Sequence, residues 1–167
     1  MNYAAIKSCD FANGPGVRVS LFVSGCTLNC HGCFNKNAQD FSYGQPFTKE
    51  TEETIISLLN EAPYIRGLSV LGGEPFEKRN IPDLISFLKS VRDAQPFLDI
   101  WIFSGHTFEE IVATEGVELL KLADVLVDGP FLIEAKDPTL RFRGSSNQRL
   151  IDVPKSLACG EVVLYDE

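Results

Sequence analysis

No stretch of the sequence approaches the length of a membrane helix; the longest apolar runs are short ones such as residues 21–23 and 100–103. No bilayer span is expected. Residues 1–11 lack a basic region followed by an apolar one, so no secretory signal is read and a reducing cytoplasm is the expected compartment. Cations are in short supply. Fifteen Lys and Arg stand against 23 Asp and Glu, a formal charge of −8, which argues against a general nucleic-acid binder that depends on neutralising phosphates. Repeats, low-complexity runs and Ser/Gly linkers are absent, so residues 1–167 are read as one domain, with a tail from about 152 that is expected to be irregular. Hydrophobic residues at 44% and charged residues at 23% match globular averages and exclude a disordered chain.

The periodicity alternates between strand and helix. Residues 17–23 alternate and then turn continuously apolar, as a strand covered on both faces would, and end at Ser24-Gly25. Thr48 is placed to cap a helix with Glu50, Glu52 and Glu53 in its first turn and Ile55, Ile56, Leu58 and Leu59 as its buried stripe. Residues 68–71 form a short apolar strand that enters Gly72-Gly73-Glu74-Pro75, and Leu84, Ile85, Leu88 and Val91 follow at helical spacing behind Pro82. Residues 98–103 repeat the pattern into Ser104-Gly105, with Thr107 and Glu110 spaced as a capping box. Residues 123–127 then lead to Asp128-Gly129-Pro130. Such alternation predicts an α/β fold with a mostly parallel sheet joined by right-handed crossovers, in which ligands gather at the carboxyl ends of the strands. Residues 136–153 are less periodic and read as a loop with a short strand.

Five cysteines are present, and Cys26, Cys30 and Cys33 fall within eight residues. An odd count in a reducing compartment favours a thiolate metal site over a disulfide framework. A structural zinc site needs four ligands, commonly from two separated CxxC pairs, and no second pair exists here. Iron–sulfur clusters also take Cys thiolates, and three of them leave one iron of a four-iron cluster without a protein ligand. Zinc with Cys9, Cys159 or His31 as fourth ligand remains the alternative at this point.

The spacing CxxxCxxC on the loop after one strand, followed by GGEP after the next, resembles the radical S-adenosylmethionine (SAM) enzymes. Four further blocks, NGPGVR at 13–18, LFVSGCTLNCHGCFNK at 21–36, DVLVDGPF at 124–131 and RGSSNQR at 143–149, resemble the branch that activates anaerobic ribonucleotide reductase. The resemblance implies an incomplete, open (β/α) barrel. It implies that Cys26, Cys30 and Cys33 hold a [4Fe–4S] cluster whose fourth iron is chelated by SAM, and that Gly72, Gly73 and Glu74 bind SAM. Gly32 and Phe34 flank the third cysteine, where such enzymes contact adenine, although the wider superfamily often has its aromatic just before that cysteine. Ser104 and Asp128, at the ends of later strands, are candidates for the methionine carboxylate or a ribose hydroxyl, with an ordinary turn role as the alternative. The implied reaction is reductive cleavage of SAM and formation of a glycyl radical on the reductase large subunit, with an electron donor such as a flavodoxin-type protein. Another glycyl-radical enzyme as target and a zinc-stabilised interaction module are the competing readings. Arg141, Arg143 and Arg149 read either as a partner-docking cluster or as a solvated face.

Overall fold

The structure, a computed structural model, describes residues 1–166; Glu167, the end of the tail read from 152, lies outside them. Seven strands form one sheet: β1 (Asn2–Asp10), β2 (Val17–Val23), β3 (Gln45–Pro46), β4 (Ile65–Gly72), β5 (Asp99–Phe103), β6 (Val125–Asp128) and β7 (Arg149–Asp152), in the order β3-β1-β2-β4-β5-β6-β7. The helices are α1 (Lys49–Glu61), α2 (Ile81–Ala94), α3 (Phe108–Val112), α4 (Val117–Leu120) and α5 (Val153–Cys159). β2, β4, β5 and β6 are parallel, while β1 pairs antiparallel with β2 and β3, and β7 with β6. The expected α/β sheet is therefore present, mixed at its margins and open, with β3 and β7 as its two edges.

From β2 to β6 the strand order advances without reversal, so right-handed crossovers lay every connecting helix on the same face. That face carries the main core: Val19, Leu21, Val23, Leu68, Val70, Ile100, Ile102 and Leu126 from the strands meet Ile55, Leu84, Phe87, Leu88, Val91 and Leu120 from the helices. α1 begins with the expected Thr48 cap, reciprocated by Thr51, and α3 with the expected Thr107–Glu110 capping box. On the opposite, inner face Trp101, Val125 and Val127 are covered by Phe103, Phe142, Leu150 and Tyr165 rather than by a crossover helix. The amino end of that face holds Arg18, fully buried and bonded to Ser69 Oγ at 2.7 Å, Leu68 O at 2.9 Å and Asp99 Oδ2 at 2.9 Å, which satisfies a cation that would be costly to bury alone.

Two segments differ from expectation. Residues 2–10, for which the sequence gives no strand pattern, form β1. In the tail, irregular backbone gives way to α5, because the Asp152 side chain caps the Lys155 N–H, Pro154 occupies the first turn, and Gly160 ends the helix at φ 77°.

Candidate functional site

The sheet register builds the site. Val23 pairs with Gly72, Val70 with Ile102 and Phe103 with Val127, so the turns that follow β2, β4, β5 and β6 emerge side by side at one edge. Among these turns and the 131–148 loop opens a cavity of about 460 Å³, in the range of small-ligand sites. Cys26, Cys30, Cys33, Gly32, Phe34, Gly72, Gly73, Glu74 and Ser104 all line it. Of the residues expected at the site, only Asp128 is not on its wall.

The cysteine loop is fastened to the GGEP turn by backbone bonds: Gly73 N–H donates to Val23 O at 2.8 Å and Glu74 N–H to Gly25 O at 2.8 Å. Gly25 N–H in turn reaches Ala38 O at 2.7 Å and Cys26 N–H reaches Gln39 O at 3.1 Å. Buried Asn80 donates from Nδ2 to both Ser24 O and Glu74 O, each at 3.0 Å, and Glu77 accepts at 2.6 Å from the Thr27 N–H and hydroxyl. The loop then winds tightly through Asn29 at φ 49° and Gly32 at φ 75°. A Cβ at Gly32 would come within 2.5 Å of Ile133 Cδ1, so the bare glycine allows the 131–148 loop to close on this one. Burial, with the Glu74 and Glu77 carboxylates adding to it, pushes the Cys26 thiol up to about 11.

Glu74 is buried, and its carboxylate joins two turns. Oε1 accepts from Phe76 N at 3.0 Å and Ser104 Oγ at 2.8 Å, and Oε2 accepts from Gly105 N at 2.8 Å. Desolvation raises its pKa above the ordinary carboxylate value against the pull of those donors. Ser104 serves this carboxylate and also accepts from His106 N at 3.0 Å. Asp128, 1% exposed, accepts from Phe108 N at 2.7 Å and from Arg149 Nε at 3.0 Å. Phe34 stands at the cavity rim, 85% exposed.

Among the described residues no three His, Cys, Asp or Glu side chains converge as a preformed ligand set. The donor chemistry nonetheless fits an iron–sulfur group: three soft thiols on one loop line one cavity, whereas Cys9 and Cys159 are exposed and line none of it. A family described as a 4Fe-4S single cluster domain matches residues 12–151. The chain is 44% identical over 149 residues to the anaerobic ribonucleoside-triphosphate reductase-activating protein of Escherichia coli K12, covering 89% of this chain and 96% of that one. With the protein of the same description from Enterobacteria phage T4 the identity is 42% over 151 residues, 90% of this chain and 93% of the relative. That from Haemophilus influenzae is 40% identical over 149 residues, with 89% and 96% covered.

The chain belongs to this 4Fe-4S family of reductase-activating proteins. The match spans all three cavity cysteines, the GGEP turn and residues 143–149, which fall within the 136–153 stretch read from sequence as a loop with a short strand. In this reductase-activating chain that segment is structured around Gln148, which accepts from Gly144 N at 2.8 Å, donates to Gly129 O at 3.0 Å and lines the cavity. Gln148, Asn80 and Gly105 are site residues that sequence reasoning did not single out. Gln148 had a signal in its place in the RGSSNQR block and Gly105 in the Ser104-Gly105 turn at a strand end, whereas Asn80 had none.

Proposed function

We propose that the chain cleaves SAM reductively at a [4Fe–4S] cluster and generates a glycyl radical on the large subunit of anaerobic ribonucleotide reductase. The observation that carries the reading is that three thiols share one cavity with the Gly72-Gly73-Glu74 turn. Cys26, Cys30 and Cys33 would hold the cluster, leaving one iron for the amino and carboxylate groups of SAM. When bound, the cluster would supply the electron for reductive cleavage of the SAM sulfonium, and the hydrogen abstracted from a glycine of the reductase would be taken by the adenosyl fragment so released, with methionine as the other product. Glu74 receives the SAM ammonium: its carboxylate has about four acceptor sites, and three are filled by Phe76 N, Ser104 Oγ and Gly105 N. Ser104 holds that carboxylate in place. Gly72 and Gly73 let the backbone approach the cosubstrate, and Gly32 with the exposed ring of Phe34 offers an edge and a face to adenine. The open margin of the sheet leaves access for a protein loop, and a flavodoxin-type protein is the proposed electron source.

Anaerobically reconstituted protein reduced with dithionite should release 5′-deoxyadenosine from SAM, and addition of the reductase should give a glycyl radical by electron paramagnetic resonance. Zinc without acid-labile sulfide in the purified protein would overturn the enzyme reading. Deoxyadenosine release with a radical only on some other glycyl-radical enzyme would change the partner alone.

A further inference from the structure

Asp128 is buried at the end of β6, yet its carboxylate turns away from the cavity wall into a network of its own. Arg149, on the antiparallel edge strand β7, donates from Nε to Asp128 Oδ1 at 3.0 Å, and grips Glu109 from Nη1 at 3.1 Å and Nη2 at 2.8 Å. Asp128 Oδ2 receives the Phe108 N–H at 2.7 Å, and the next residue, Gly129, donates its N–H to His106 O at 3.1 Å. On the other side Ser104 N–H reaches Val127 O at 2.8 Å. The turn of residues 104–107 is thus pinned at its start to β6 and at its end to Asp128 and Gly129, and its first two residues supply Ser104 Oγ and Gly105 N to Glu74.

We infer that Asp128 and Arg149 are positioning residues that set the Glu74 carboxylate from across the sheet, by bracing the turn that follows β5. The inference rests on the proposed role of Glu74 toward SAM. A forked guanidinium suits the task, since it holds two carboxylates on different elements in one plane, which an ammonium does not. Its grip shows in Glu109, whose pKa Arg149 lowers to about 2 although the side chain is largely exposed.

The test is a double-mutant cycle on SAM affinity in reconstituted protein, with iron content measured alongside. Arg149→Met should weaken SAM binding about tenfold at unchanged iron content, the cost of a misplaced polar group rather than a lost contact. Glu74→Gln should weaken it as well, and the double variant should be no worse than Glu74→Gln alone. Arg149→Lys, which keeps the charge, runs the same cycle if Arg149→Met does not fold. Glu109→Gln, which leaves Asp128 gripped, should change affinity less than about twofold. Additive losses in the cycle overturn the inference. Unchanged SAM affinity in Glu74→Gln refutes the assigned role of Glu74 instead. Hydrogen exchange at the Gly105 amide then decides the bracing by itself: faster exchange in Arg149→Met supports it, and unchanged exchange overturns it.

Discussion

Two residues show how much chemistry a single position carries here. Glu74 is held where burial raises its pKa, and only its ionised form can take an ammonium. As pH rises through the raised value the carboxylate ionises, so SAM affinity should climb from the acid side toward neutrality. For stability the sign is reversed: a carboxyl with an elevated folded pKa favours the fold below its unfolded value and loses that contribution as it ionises. Titrating SAM affinity from acid pH toward neutrality should give this slope, and Glu74→Gln should flatten it. Gly72 has a different burden. Its φ of 115° lies outside the range of ordinary side chains, and a Cβ there would stand 2.7 Å from both Val23 N and Val23 O. Gly72→Ala should therefore cost about 1–3 kcal/mol in denaturant unfolding, because the clash is with backbone that cannot swing aside. Sequence reasoning reached both residues through GGEP. What it could not supply was the partner set of Glu74, since Ser104 and Gly105 lie thirty and more positions away and meet it only through strand register.

At the scale of elements, the parallel core was legible and its margins were not. β2, β4, β5 and β6 are buried on both faces and announce themselves as apolar runs ending in glycine or polar turns. β1 gives no such signal, because register shifts between Tyr3 and Ala5 and between Lys7 and Asp10 interrupt the period of two on which strand recognition depends. β3 is two exposed residues long, too short for any pattern. The connection between the cysteine loop and the GGEP turn was also hidden. Asn80, which sequence reasoning passed over, precedes α2, and its buried side-chain amide bridges Ser24 O to Glu74 O. Asn80→Ala removes both donors, which deprives Ser24 O of this partner and leaves Glu74 O with the Glu77 N–H, so it should cost about 1–3 kcal/mol. Asn80→Asp, nearly the same shape, should not rescue, since it presents acceptors to acceptors. Chemical denaturation of the three proteins without metal checks this; recovery in Asn80→Asp would show that volume, not donation, matters at this position.

The whole molecule separates the part that folds from the part that reacts. The main core lies between the helices and the outer face of the sheet, and none of the five cysteines belongs to it. The cavity lies beyond the carboxyl edge and over the inner face, in turns whose backbone is anchored to strands already paired. In small zinc domains the metal supplies the folding energy and its removal unfolds the chain. Here the main core includes no cysteine, so the cysteine loop is expected to be an addition to a scaffold that folds without metal. Cys30→Ala should accordingly abolish cluster retention and SAM cleavage, while the metal-free variant unfolds within about 0.5 kcal/mol of metal-free wild type, as a half-exposed loop substitution does. Circular dichroism melts and denaturant curves of the two metal-free proteins, set beside iron and sulfide content after reconstitution, test both halves at once. A loss of stability above about 2 kcal/mol would mean that the cysteine loop helps to hold the sheet together, and normal iron content in Cys30→Ala would remove this thiol from the ligand set.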